Sequence, residues 1–92
     1  MLVWPTGVEG GGAAADMMLY PNPAVEQCRV RFSGMIEQGG LELYSMLGVR
    51  VFSMAIDHAA EVGLQLGGLV RGMYVVRVVD GERVSHARLV VE

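Results

Sequence analysis

The chain has no lysine, a single cysteine and only two histidines, and each scarcity removes a class of chemistry. One cysteine, Cys28, excludes an internal disulfide. With His58 and His86 far apart and no second thiol, the usual zinc-ligand spacings are missing, so neither a metal nor a cofactor is expected. All seven basic residues are arginine, scattered among ten acidic ones. No clustered positive stripe of the kind that phosphate backbones demand is formed, and nucleic acid is not an expected partner. Long apolar runs are also missing. The most apolar stretch, Leu64 to Val79, is cut by Gln65, Arg71 and Arg77, short of the roughly 20 uninterrupted residues of a transmembrane helix. The opening Met1-Leu2-Val3-Trp4-Pro5 has neither a basic leader nor a long apolar segment and does not read as a signal peptide, so export would need a signal from another segment.

What is present is apolar and rich in turn residues: 92 residues, 52% apolar and 18% charged, with a net charge of −3 and 13 glycines. That balance is too hydrophobic for an acidic disordered tail and too small for two cores, so one folded domain is expected. Residues 1–16 carry Gly10-Gly11-Gly12 and Ala13-Ala14-Ala15 with no periodic apolar face, and read as a flexible linker or the end of a fragment. From Met17 to Glu92 the pattern becomes short apolar runs parted by turn residues about every ten positions, the spacing of an all-β domain.

Alternation with period two marks the strands, because successive side chains in a strand face opposite sides. Cys28, Val30 and Phe32 fall inward with Arg29 and Arg31 outward, and Ser33-Gly34 is expected to end the run. Leu41-Glu42-Leu43 repeats the pattern between Gly39-Gly40 and Gly48, and Val62 to Leu66 repeats it before Gly67-Gly68. Met73 to Val79 has valines in both phases, which predicts a central strand covered on both faces. Asp80-Gly81 predicts a hairpin joining it to Arg83–Val91. Met17–Tyr20 and Arg50–Ala55 complete about seven short strands, which favours a two-sheet antiparallel sandwich of the immunoglobulin-like type.

No catalytic constellation emerges, and no enzymatic activity is expected. Cys28 occupies an inward strand position, where a free thiol packs as a small hydrophobe. Ser85 and His86 are strand neighbours and point to opposite faces. Asp57-His58 reads as a solvated loop, and Glu37, Glu42, Glu61, Asp80 and Glu82 fall mostly on turns or outward positions. Gly67-Gly68-Leu69-Val70-Arg71-Gly72 precedes a strand instead of opening a helix, so it lacks the amide array of a phosphate loop. The excess apolar surface of Met73–Val79 and Leu89-Val90-Val91 predicts an exposed edge or patch that would serve docking or a weak dimer.

Four motifs follow one another through the predicted domain. They are Leu19-Tyr20-Pro21-Asn22-Pro23, then Leu43-Tyr44-Ser45-Met46-Leu47-Gly48 with Val51, then Leu69 with Gly72-Met73-Tyr74-Val75-Val76-Arg77-Val78, and last Arg88-Leu89-Val90-Val91. In this order and spacing the set resembles the C-terminal sorting domain of the type IX secretion system, type A, over about residues 17–92. The chain departs from that pattern at Ser45, where Asp or Asn is common, and at Gly48-Val49, which displaces Arg50 by one position from the usual Gly-Arg turn. The resemblance implies a sorting signal for a cargo N-terminal to it in the same chain. Its partners would be the outer-membrane translocon and a cysteine-protease sortase, and its route would run through the periplasm to the cell surface or the medium. By position, the sortase would cut within Gly10 to Asp16, at Gly12, Ala13, Ala14, Ala15 or Asp16, and would commonly pass the cargo to an anionic lipopolysaccharide anchor. The hairpin Met73–Val91, with Arg77, Arg88, Leu89, Val90 and Val91, would present the docking surface. The alternative is a structural or adhesive immunoglobulin-like module, including a carbohydrate-binding one or one similar to flagellar hook-capping domains. Adhesion would call for an exposed aromatic platform or calcium-binding carboxylates, neither of which the sequence displays.

Overall fold

The computed structural model describes residues 17–92. Five antiparallel strands follow in order: β1 (Met17–Tyr20), β2 (Gln27–Ser45), β3 (Arg50–Gln65), β4 (Gly72–Asp80) and β5 (Arg83–Val91). They form a single curled sheet in the order β1-β2-β4-β5, with β3 on β2. β2 is its spine. The first part of β2 pairs with β1 (Tyr20 opposite Arg29) and with β3 (Gly63 opposite Arg29), whereas its last part lies between β3 and β4, with Leu41 opposite both Met54 and Val78.

The strand count is five among the described residues rather than seven, for a physical reason. Cys28–Phe32 and Leu41–Leu43 are two ends of β2, and Arg50–Ala55 and Val62–Gln65 are two ends of β3. Ser33-Gly34, Gly39-Gly40 and Asp57-His58, expected to break strands, lie inside them. They bend the ribbon instead of ending it: the β2–β3 register shifts between Arg31 and Ile36, and His58 takes φ of 54°. A bulge of this kind adds residues to one strand and changes its direction without breaking the pairing. It also reverses the inward phase, so that Cys28, Val30 and Phe32 face the core before the bend and Leu41 and Leu43 after it. A two-sheet sandwich is therefore not what joins these strands; one sheet curls over its own core.

Gly39 shows why the bend needs a residue with no side chain. A Cβ there would press into the carbonyl oxygen of Val79 and lie 2.9 Å from Ile36 Cγ2. The glycine lets β4 approach the corner of β2 closely.

The curl encloses one apolar core. Leu41, Leu43, Leu64, Leu66, Leu89, Val30, Val76 and Cys28 are fully buried. β4 is central, with β2 and β5 as neighbours, but only one of its faces is covered. Tyr74, Val76 and Val78 are buried, whereas Val75, Arg77 and Val79 are half-buried and Met73 is exposed. The expectation of cover on both faces fails because the curled sheet supplies one interior, and the valines of the second phase form its outer surface. Beyond β5 the curl closes through the segment after β1: Ala24 bridges Val91 in parallel, and Leu66 N–H donates to the Glu26 carbonyl at 2.8 Å.

Candidate functional site

The last strand is held from outside by the residues that follow β1. The side-chain amide of Asn22 donates to the Arg88 carbonyl at 3.0 Å, and its Oδ1 accepts the Val90 N–H at 3.0 Å. Ala24 continues the ladder, its N–H donating to the Val90 carbonyl at 2.8 Å and its carbonyl accepting Glu92 N–H at 2.7 Å. Asn22 thus replaces one residue of backbone pairing, with a donor and an acceptor on one planar group. The flanking Pro21 and Pro23 have no N–H to offer, which suits a segment that leaves one strand and turns alongside another.

This latch brings the first and last motifs together. Leu19, Asn22, Pro23, Met73, Arg88 and Val90 line one open groove along the seam between β1 and β5. Of the five residues expected on a docking hairpin, Arg77, Arg88 and Val90 reach the surface at least in part, while Leu89 and Val91 are buried and pack the core. Arg77 lies on the outer face. Its guanidinium meets Glu42 Oε1 at 2.6 Å across the β2–β4 ladder.

Glu42 gathers a polar cluster on that face. It accepts hydrogen bonds from Tyr44 Oη at 3.0 Å and Arg50 at 3.2 Å as well as from Arg77. The Arg77 hydrogen bond first, and then that of Tyr44, hold its carboxyl below the usual range. On the neighbouring strand His86 lies opposite Arg77, and burial first, then the Arg77 charge, push its imidazole pKa down. Near β1, Glu61 bonds Arg29 and is held low chiefly by that bond.

The middle motifs shape the loops at the start of β4. Tyr44 and Tyr74 are not a pair: Tyr44 faces outward to Glu42, while Tyr74 is buried and donates to the Val70 carbonyl. Leu69 packs against the core and its N–H donates to Leu66 carbonyl at 3.0 Å. Gly48 takes φ of 86° in the β2–β3 turn, a left-handed conformation costly for residues with a Cβ, and Gly72 opens β4 at φ 151°. Ser45 organises the same turn. Its Oγ accepts Leu47 N–H at 3.2 Å and Val49 N–H at 3.3 Å, the role that an Asp or Asn side chain fills in such turns.

Sequence reasoning quoted Asn22, Arg88 and Val90 but not the bonds between them, and it missed Glu42 as a hub and Gly39 as a contact. Cross-strand spacing could have suggested the Glu42–Arg77 pair; nothing local marks Gly39. The thiol of Cys28 is buried, which raises its pKa, so it is not poised as a nucleophile. Among the described residues no group of three or more His, Cys, Asp or Glu could hold a metal ion, and no helix is long and apolar enough to cross a membrane. Gly12, Ala13, Ala14, Ala15 and Asp16 lie outside the described residues.

The described residues thus form a small curled β domain with its last strand latched and an open groove at the latch. The chain belongs to the secretion system C-terminal sorting domain family, whose family model matches residues 18–92. It is a family of type IX secretion sorting signals and not one of enzymes. No curated protein matches the chain.

Proposed function

We propose that residues 17–92 are the export address of a cargo attached N-terminally in the same chain, recognised as a folded surface by the type IX translocon. In this reading the cargo reaches the periplasm by a separate signal and crosses the outer membrane. A cysteine-protease sortase then cuts within Gly12–Asp16, leaving the cargo on the cell surface or in the medium. The docking surface is the exposed side of the β4–β5 hairpin together with the seam groove. The family match over residues 18–92 supports this reading most strongly. The meeting of the first and last motifs in one groove, although they lie at opposite ends of the domain, supports a composite surface over a linear tag.

The test is delivery of a reporter fused to residues 10–92 behind a signal peptide in a bacterium with a type IX system. The expected result is export, with a new N-terminus that maps the cut before Met17. A chain ending before Arg88 should stay in the periplasm. Arg88→Glu, exposed and outside the core, should fold and yet be exported less. Normal export of the truncated chain would overturn the reading.

A further inference from the structure

Two rows of side chains cross the outer face of the sheet where β3, β2, β4 and β5 lie side by side. The register sets them: Arg50, Tyr44, Val75 and Arg88 form one row, and Ser53, Glu42, Arg77 and His86 the next. Residues directly opposite share a face, and diagonal neighbours lie about 7–8 Å apart. Arg77, His86 and Arg88 therefore make a compact basic triad, with His86 opposite Arg77 and Arg88 next in phase along β5. Glu42 is the one acidic side chain in these rows, and it is already shared: its Oε1 takes Arg77 at 2.6 Å and its Oε2 takes Arg50 at 3.2 Å. Arg88 is exposed and makes no ion pair among the described residues. Glu92, further along the chain, is roughly 13 Å from it in extended backbone. The face thus sets three arginines against one carboxylate in a chain whose net charge is −3.

Given the sorting reading, on which this depends, we propose that Arg88, with Arg77 and His86 beside it, receives a carboxylate from an acidic protein surface of the export machinery. A guanidinium matches a carboxylate with two parallel N–H···O bonds. Arg50 and Arg77 already hold one carboxylate on this face, that of Glu42, and Arg88 has the same capacity unused. Tyr44 in the same row, and Met73 next in phase after Val75 and 38% exposed, belong with arginine to the residue types that concentrate in protein interfaces. Arg88 also lines the seam groove with Leu19, Met73 and Val90, so the charge stands beside an apolar surface that a partner would cover. Covering it removes water from the ion pair and strengthens it. Like charges set close together oppose one another until an anion arrives. The face is therefore electrostatically incomplete in the free domain and complementary to an acidic one.

The chain has no lysine, so Arg88→Lys gives the domain a single side-chain amine that a carbodiimide can join to a carboxylate in contact with it. In cells exporting the reporter fused to residues 10–92, this variant is expected to crosslink through residue 88 to an Asp or Glu of a translocon component. Arg31→Lys, also exposed but on the first part of β2, should give no such crosslink. Arg88→Gln should lower export several-fold with thermal unfolding unchanged, and Arg31→Gln should leave export at the parent's level. Full export of Arg88→Gln, an equal loss with Arg31→Gln, or no crosslink from Arg88→Lys would each overturn the proposal and leave the sorting reading standing. Flotation of the chain on phosphatidylglycerol vesicles that is lost in Arg88→Gln, without a protein crosslink, would assign the triad to lipid and overturn it as well. Failure of the parent fusion to be exported would overturn the sorting reading, and the proposal with it.

Discussion

At the scale of single residues, the contacts that matter join positions far apart in the chain. Asn22 reaches Arg88 and Val90, separations of 66 and 68 residues, so its identity as a motif residue was legible and its task was not. Asn22→Ala should cost about 1–2 kcal/mol, the sum of two ordinary hydrogen bonds, read as a lower urea midpoint. Gly39→Ala should cost about 1–3 kcal/mol because the corner must open to admit the methyl group. Acid should act in two stages. His86 is pushed below its ordinary 6.5, so the folded state binds fewer protons than the unfolded one and stability falls as pH drops from 6.5 toward the folded value. Glu42 and Glu61 are held below 4.5, so what they contribute above that pH is lost as pH falls through their lowered values. Urea midpoints against pH should show both limbs, and His86→Gln should remove the upper one alone.

At the scale of elements, the alternation of apolar residues was legible because it is local. Cys28-Val30-Phe32, Leu41-Leu43 and Val62-Leu64-Leu66 follow it, and the β4–β5 hairpin was legible from Asp80-Gly81. The continuity of β2 through Ser33-Gly34 and Gly39-Gly40 was not, since those residues favour a turn by themselves and are held in a bent strand by their pairing with β3 and β4. Valines in both phases of β4 predict two buried faces, but composition does not say whether a second layer exists. β5 is the element on which the fold and the proposed docking both depend. Leu89→Ala should cost about 2–5 kcal/mol, a large share of the about 5–15 kcal/mol typical of a whole domain. Arg88→Glu should leave thermal unfolding near that of the parent. Thermal melts of the two variants separate packing from surface at this strand.

At the scale of the whole molecule, the curl brings the residues before β2 against the end of β5, and the seam groove exists only when both are in place. The motifs were legible in the sequence, but their meeting was not, because it depends on the closure of the sheet. The central claim is that this folded domain is read as an address by the type IX machinery. The most direct measurement locates a reporter fused to residues 10–92 in otherwise identical cells with and without the translocon. The account predicts reporter at the surface or in the medium only when the translocon is present, and folded reporter in the periplasm without it. Export in both strains, or retention in both, would contradict it.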